Sequence, residues 1–190
     1  MNRDEALQIF RATGALLEGH FRLTSGLHSP QYFQCARVLQ YPRHAELFCR
    51  EIAGHFSDRH IDCVISPAIG GIVVGQEVAR LLGCRAIFAE REQDNMTLRR
   101  GFVIEKGERV LAVEDVVTTG GSIKEVLRLV EQAGAHVEGV AFLVDRSDGQ
   151  VTFSVPHFSV LKMQVITYSP EQCPLCAQGI EVVKPGSRKV

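Results

Sequence analysis

Short apolar runs and helix-period stretches alternate along the middle of the chain. Residues 110–113 form an apolar run with β-branched side chains between charged residues, the pattern of a buried strand. After the next loop, Ile123, Val126 and Val130 recur at the spacing of an amphipathic helix that ends near Gly134. The same reading predicts further strands at 61–66, 85–89, 102–104 and 136–144, and further helices at 4–13, 42–60 and 73–82. Strands that alternate with helices predict an α/β protein with a central, mostly parallel sheet flanked by helices.

Three segments do not follow this alternation. Residues 16–33 contain glycine, proline and short apolar pieces, which predicts small strands joined by turns. Residues 90–101 are polar and highly charged, which predicts a mobile surface loop. Residues 151–167 contain two strand-like runs around Pro156, which we expect at an edge of the sheet.

Composition and charge narrow the class of protein. The chain has 190 residues, of which 45% are hydrophobic and 23% charged, as in an ordinary globular domain, and we expect a single domain over residues 1–190. A net charge of −1 gives no support for a nucleic-acid or membrane surface. No apolar stretch is long enough for a transmembrane helix, and the first residues lack the apolar core of a signal peptide, so we expect a cytoplasmic protein.

The loop after the run at 110–113 has the composition of a phosphate-binding turn. It contains Thr118, Thr119, Gly120, Gly121 and Ser122, directly before the predicted helix. Glycines let successive backbone amides converge, the hydroxyls add donors, and the helix N-terminus supplies further free amides. The loop lacks the Gly-Lys-Ser/Thr of a Walker motif and the Gly-x-Gly-x-x-Gly of a dinucleotide site.

Two acidic residues, Glu114 and Asp115, immediately precede this loop. Carboxylates repel phosphates, so the pair indicates a ligand that carries hydroxyl groups beside its phosphate, as a ribose 5-phosphate does. The two side chains would accept hydrogen bonds from the 2- and 3-hydroxyls, directly or through Mg²⁺. The plainer interpretation is a strand that ends in a solvated acidic turn.

The stretch Val-Glu-Asp-Val-Val-Thr-Thr-Gly-Gly-Ser resembles the phosphoribosyl-pyrophosphate loop of type I phosphoribosyltransferases, and other stretches resemble the orotate phosphoribosyltransferases. The resemblance implies the type I phosphoribosyltransferase fold with a small N-terminal hood at about 1–40, a core at about 41–169 and a tail at 170–190. It also implies Mg²⁺ as cofactor, held mainly by substrate oxygens, and a homodimer. The donor would be bound by the acidic pair and by the loop, including Val116 and Val117.

The hood carries a second part of the resemblance. Five residues match the family pattern Ser-Gly-x-x-Ser-Pro-x-x-Phe that closes over the base: Ser25, Gly26, Ser29, Pro30 and Phe33. The family implies that Tyr32 and Phe33 frame the orotate ring and that Thr118 touches it. The alternative is a simple β-hairpin with this aromatic pair in its core. The chain has Thr24 where the family commonly has lysine.

A glycine pair follows the predicted strand at 61–66. In the family, the turn corresponding to Gly70 and Gly71 touches pyrophosphate through backbone amides, whereas a tight turn without a ligand is the plainer interpretation. Many members of the family have tyrosine and lysine where this chain has Ile69 and Gly70, so another cation is absent.

The family also has a catalytic loop at the position of residues 90–101, which closes over pyrophosphate and often reaches the neighbouring subunit's site. Arg91 is the main candidate for pyrophosphate contact, with Arg99 and Arg100 as secondary candidates. The usual Lys-x-His-Gly pattern is not recognisable, and a solvated run of charges is the alternative.

Arg146 follows the predicted strand at 136–144, where a side chain points into the ligand crevice of a parallel sheet. Its planar fork matches a carboxylate, and the family places an arginine here to recognise orotate. A surface pair with Asp145 is the alternative.

The tail contains Cys173 and Cys176 in a Cys-x-x-Cys pattern, a possible Zn²⁺ site. Structural zinc usually needs four ligands, and no second pair appears at matching spacing. Two pairs from a dimer or a local disulfide are the alternatives, and for the six cysteines as a whole free thiols are expected.

The resemblance implies transfer of a phosphoribosyl group from phosphoribosyl pyrophosphate to orotate, in pyrimidine biosynthesis. Two alternatives stay open at this point. One is a phosphoribosyltransferase for a purine, xanthine or another base, and the other is a non-catalytic ligand-sensing regulator on the same fold.

Overall fold

In the computed structural model, which describes residues 1–23, 25–147 and 149–185, strands and helices alternate through the middle of the chain. The strands are β1 (Leu16–Arg22), β2 (His28–Phe33), β3 (Cys63–Pro67), β4 (Arg85–Glu92), β5 (Asn95–Leu98), β6 (Arg109–Val117), β7 (His136–Asp145) and β8 (His157–Lys162). The helices are α1 (Arg3–Ala12), α2 (Ala36–Leu39), α3 (Pro42–His55), α4 (Gly70–Leu82), α5 (Gly121–Gln132) and α6 (Pro174–Ala177). Thr24, which stands where the family commonly has lysine, lies outside the described residues, as do residue 148 and the tail beyond residue 185.

Six strands form the central sheet in the order β5-β4-β3-β6-β7-β8. β4 and β5 pair antiparallel, and all the other neighbours pair in parallel. The carboxyl ends of β3, β6 and β7 therefore lie at one edge of the sheet, where ligands bind in folds of this kind. The predicted α/β class with a mostly parallel sheet is confirmed.

Two apolar clusters cover the two faces of the sheet. Alternate residues of β6 enter different clusters: Leu111 and Val113 pack with residues of α3 and α4, whereas Val110 and Ala112 pack with residues of α5. This alternation follows from the period of two in a strand. Burying a side chain the size of Leu111 contributes about 1.5–3 kcal/mol, so the strand before the glycine loop is held firmly from both sides.

The predicted helices are present with shifted ends. The first begins at Arg3, one residue earlier than predicted, because Asn2 forms a capping box with Glu5. The helix predicted to reach residue 60 ends at His55. Gly83, with a φ of 71°, ends α4 as predicted.

The segment at 90–101 is not the loop that its charge suggested. Residues 85–98 form a two-stranded hairpin in which Glu92 pairs with Asn95. Gln93 and Asp94 have φ values of 47° and 68°, as the two central residues of a tight hairpin turn require. The strand predicted at 102–104 is absent, since these residues are neither strand nor helix. Of the two runs predicted in 151–167, only β8 is a strand, and it is the expected edge.

β1 and β2 form a separate antiparallel pair, as predicted for residues 16–33, and we call this pair the hood. Residues near the C-terminus border both of its edges. Val183 bridges to Phe21 in β1, and Tyr168 bridges to His28 in β2. Within the described residues, no helix is long and apolar enough to cross a membrane.

Candidate active site

The glycine loop joins the end of β6 to the start of α5. Gly120 is the residue before the helix and has a φ of 74°, which favours glycine. A Cβ atom at this position would also lie 2.8 Å from Cγ1 of Val151, so the close approach of residue 151 is a second reason for glycine. Thr118 and Thr119 are exposed beside the first turn of α5, whose amides are not all used within the helix. The arrangement provides the donors that a phosphate requires.

Glu114 and Asp115 are partly buried at the end of β6. Burial and the neighbouring Asp115 raise the pKa of Glu114 to about 8, although Arg91 acts in the opposite direction. Burial also raises the pKa of Asp115, and a 3.0 Å hydrogen bond that the Val116 amide donates to its Oδ1 partly offsets this effect. The pair therefore favours a ligand that brings positive charge or hydrogen-bond donors.

Gly70 lies directly against Asp115. A Cβ atom at Gly70 would be 2.6 Å from Oδ2 of Asp115, so the position has no room for a side chain while Asp115 keeps its place. This contact gives a physical reason for glycine at a position where a lysine is common in the family. Gly70 and Gly71 form the first turn of α4 rather than a turn before it, which corrects the predicted helix start at residue 73.

A cleft of about 420 Å³ opens beside the glycine loop. Arg146 lines it, and among the described residues its Nε atom has no hydrogen-bond partner. Burial lowers the pKa of this guanidinium. An unpaired donor on a buried cation is costly, so the cleft favours an anionic ligand at Arg146. The lining residues come from the turn between β1 and β2, from β2, from the glycine loop, and from the segments after β7 and β8: Leu23, Ser25, Leu27, Tyr32, Thr118, Thr119, Arg146, Val165 and Thr167.

Asp145 shapes the turn that presents Arg146. Its side chain accepts hydrogen bonds from the amide and hydroxyl of Ser147, at 2.8 and 2.6 Å, and from the amide of Gly149 at 3.0 Å. Asp145 is only 1% exposed. The alternative of a surface pair between Asp145 and Arg146 is therefore wrong, because this carboxylate is used by the backbone of its own turn.

The two aromatic residues of β2 have different environments. Tyr32 lines the cleft, and its ring centroid is 5.9 Å from that of Phe21. Phe33 is 3% exposed, and its ring packs edge-on against Phe10 with centroids 5.5 Å apart. The prediction that the ring of Phe33 frames the base was wrong, because successive side chains of a strand point to opposite faces.

Arg91 is not among the residues that line the cleft, but its charge acts on Glu114 and opposes the rise that burial causes in the pKa of that carboxyl group. Its Nη2 donates to Oε1 of Glu125 at 2.8 Å, and its Nη1 donates to the backbone oxygen of Asp94 at 2.7 Å. Glu125 belongs to α5, so the bond connects the hairpin to the helix that follows the glycine loop.

Arg99 and Arg100 instead pair with acidic residues of β4, at 3.6 Å from Glu92 and 2.8 Å from Glu90. These pairs connect the residues just after the hairpin to β4, and neither arginine lines the cleft.

Several residues that border the site were not predicted from the sequence, among them Leu23 and Leu27. Val165 and Thr167 close the cleft from the C-terminal side, and Glu125 orients Arg91. No local motif marks them, since each acts through a partner distant in sequence.

Known proteins with a similar sequence identify the family of this chain. The model of the phosphoribosyl transferase domain matches residues 39–173. The chain therefore belongs to the phosphoribosyltransferase family.

Within that family, it is 59% identical to the orotate phosphoribosyltransferase of Pelotomaculum thermopropionicum over 100% of both chains. It is 56% identical to that of Chlorobium phaeobacteroides, over 99% of this chain and 97% of the other. The chain belongs to the orotate phosphoribosyltransferases.

Solved structures show the same architecture. The orotate phosphoribosyltransferase of Aeropyrum pernix is similar with a TM-score of 0.68 and 27% identity, over 82% of this chain and 92% of the other. The adenine phosphoribosyltransferase of Rhodothermus marinus has a TM-score of 0.67 at 23% identity, over 84% of this chain and 99% of the other. That second likeness concerns the fold alone.

Proposed function

We propose that this protein transfers the 5-phosphoribosyl group from phosphoribosyl pyrophosphate to orotate, giving orotidine 5-monophosphate and pyrophosphate in pyrimidine biosynthesis. The observation that carries the proposal is Arg146, a partly buried guanidinium whose buried Nε has no hydrogen-bond partner among the described residues, in a cleft that adjoins the glycine loop. Orotate is a flat ring with a carboxylate, and a planar fork of donors fits that group.

The donor half of the site consists of the glycine loop and the acidic pair. The free amides before and within α5, with the hydroxyls of Thr118, Thr119 and Ser122, bind the 5-phosphate. Glu114 and Asp115 accept hydrogen bonds from the ribose hydroxyls. Their raised pKa values would fall when the ring gains positive charge, so the pair stabilises that charge as it develops. The amides of Gly70 and Gly71 are the candidates for pyrophosphate contact.

The reaction is a displacement at the anomeric carbon, in which the orotate nitrogen forms a bond as the bond to pyrophosphate breaks. The protein holds the two reactants in line and balances the charge on the leaving group. The ring N–H of orotate is already acidic, so its proton can leave to water and no strong general base is required. Tyr32 and Thr118 are distant in sequence but line the same cleft. A base bound between them would lie beside the ribose held by the glycine loop.

Mg²⁺ is part of the proposal. The carboxylate oxygens of Glu114 and Asp115 are hard ligands, and both groups lie where burial disfavours their negative charge, so the residues present fit a nearby hard cation. When bound with the substrate, Mg²⁺ supplies positive charge to the pyrophosphate oxygens.

We also propose a homodimer in which residues 90–101 reach the neighbouring site. Arg91 is the main candidate for pyrophosphate contact, and it would exchange its bond with Glu125 for a substrate oxygen. Arg99 and Arg100 are exposed and remain secondary candidates. Sedimentation equilibrium tests the dimer. Mixing Arg91→Ala subunits with Asp115→Asn subunits tests the shared site, since activity would return only if one site uses residues from both chains. The single-domain organisation and the cytoplasmic location stay predictions.

The deciding experiment follows the loss of orotate absorbance with phosphoribosyl pyrophosphate and Mg²⁺, beside adenine, guanine and xanthine as alternative acceptors. We expect turnover of orotate alone. Turnover of a purine or xanthine instead would support a different base specificity. Binding of phosphoribosyl pyrophosphate without turnover of any base would support a ligand-sensing regulator.

A further inference from the structure

Two histidines of the hood and the two cysteines of the tail meet in one cluster. His20 lies in β1, His28 in β2, Cys173 immediately before the short helix α6, and Cys176 within that helix. One nitrogen or sulfur atom from each residue lies within 4.8 Å of the corresponding atom of every other. Residues more than a hundred positions apart in the sequence therefore converge on a single point.

The spacing of these atoms is close to that of a tetrahedral metal site. Zinc bonds of about 2.3 Å to sulfur and about 2.0–2.1 Å to nitrogen place neighbouring ligand atoms about 3.3–3.8 Å apart. His20 Nε2 lies 3.5 Å from Cys173 Sγ and 3.7 Å from Cys176 Sγ. His28 Nδ1 lies 3.3 Å from Cys176 Sγ and 2.9 Å from His20 Nε2. Three of these four distances fall in the required interval, and a shift of a few tenths of an ångström would bring in the fourth.

The orientation of His20 favours metal binding. Its Nδ1 lies 2.7 Å from the backbone oxygen of Ile180. A carbonyl oxygen only accepts, so Nδ1 carries the proton and donates it. The lone pair of Nε2 then points into the cluster. Histidine ligands of metals are commonly oriented by such a bond from the other ring nitrogen.

Burial and charge agree with a closed site. His20, His28 and Cys173 are 3%, 6% and 3% exposed, and all six cysteines are free thiols in the structure. A divalent ion bound by two thiolates and two neutral imidazoles has no net charge, so its burial is tolerated. Two sulfur and two nitrogen donors at tetrahedral spacing suit zinc better than the hard cations that oxygen ligands select.

We propose that His20, His28, Cys173 and Cys176 bind one structural Zn²⁺ that ties the C-terminal segment to the hood. All four ligands come from one chain, so the site needs no second subunit. Four protein ligands leave no open position for a substrate, which makes the role structural rather than catalytic.

The location of the site indicates that the ion would stabilise the hood. A two-stranded sheet is marginally stable by itself in water. At its edges, the hood is joined to the C-terminal segment by one bridge to Val183 and one to Tyr168. Zinc would connect both hood strands to the tail, and β2 also carries Tyr32, which lines the base cleft. The ion would therefore hold the wall of the cleft in place without touching the substrates.

Metal analysis of the untagged full-length protein tests this site directly. We expect about one zinc per chain after gel filtration. The Cys176→Ser variant changes an exposed ligand and should lose most of the zinc, whereas Cys84→Ser, at a partly buried cysteine outside the cluster, should retain it. Zinc retained equally in both variants would overturn the proposal.

A second measurement avoids variants altogether. Removal of the metal from the native protein, followed by titration with Co²⁺, should produce the visible absorption of tetrahedral cobalt and the ultraviolet band of a cobalt–thiolate bond. The thermal midpoint without substrates should fall on removal and recover when Zn²⁺ is added back. No cobalt spectrum, or a Cys173–Cys176 disulfide shown by the loss of two free thiols, would contradict the proposal.

Discussion

Replacing Arg146 with alanine would leave the carboxylate of orotate without a charged partner in a buried cleft. The Nε of Arg146 has no partner among the described residues, so the substrate is the expected recipient of its hydrogen bond. Removing one member of a buried, hydrogen-bonded charge pair costs about 2–5 kcal/mol. Since each 1.4 kcal/mol is about a tenfold change, kcat/KM for orotate should fall by about 30-fold to about 4,000-fold.

Initial rates with orotate and with uracil measure this effect, because uracil is the same ring without the carboxylate. The wild type should strongly prefer orotate, and Arg146→Ala should lose most of that preference. Arg146→Lys is the matched control: it keeps the positive charge but loses the planar fork, so it should fall between the two. The KM for phosphoribosyl pyrophosphate should change little in either variant.

Two outcomes would refute the reasoning about Arg146. One is an equal fall in kcat/KM for orotate and uracil, which would mean that the guanidinium does not face the carboxylate. The other is a rise in the KM for phosphoribosyl pyrophosphate as large as that for orotate, which would place Arg146 in the donor half of the site.

Three further changes test the donor half. Asp115→Asn keeps the size of the side chain but removes a charged acceptor. The kcat/KM for phosphoribosyl pyrophosphate should fall by about 10- to 150-fold, equivalent to about 1.5–3 kcal/mol. An unchanged kcat/KM in steady-state rates would contradict the proposed hydrogen bond between Asp115 and the ribose. Gly70→Ala places a Cβ atom 2.6 Å from Asp115 Oδ2 and should lower the free energy of unfolding by about 1–3 kcal/mol. Gly54→Ala, where nothing lies within 4 Å, is its control in urea titrations and should not destabilise. Glu114→Gln should stabilise the ligand-free protein at high pH. Because the folded protein raises the pKa of Glu114 to about 8, the wild type loses stability as the pH rises from the pKa of glutamate in the unfolded chain towards 8. The thermal midpoints of variant and wild type should therefore diverge above about pH 5 and stop diverging above about pH 8.

The elements of the proposed donor half could be predicted from the sequence because they are contiguous. The strand β6 contains the acidic pair and runs directly into the glycine loop and α5, and local periodicity identifies the strand and the helix. Arg146 could be found for a similar reason, because a strand fixes the direction of the residue at its end. The hairpin turn at Gln93 and Asp94 escaped prediction, because neither residue is a glycine although both have a positive φ.

Long-range contacts account for the other omissions. Of the proposed zinc ligands, only the two cysteines could be predicted from the sequence, because the two histidines lie about 150 positions away and follow no spacing rule. The bond between Arg91 and Glu125 and the closure of the cleft by Val165 and Thr167 likewise depend on how β strands are ordered in the sheet. A single sequence contains no measure of that order.

The bridges from the hood to Tyr168 and Val183 affect the order in which parts of the protein fold during synthesis. Protein chains leave the ribosome N-terminus first, so β1 and β2 appear long before the segment that borders them. The sheet with its glycine loop can form while the hood still lacks both neighbours. The pocket for the base would then be completed last, when residues 165–183 emerge. A nascent chain that stalls before this point would have a nearly complete phosphate loop but an unfinished base pocket.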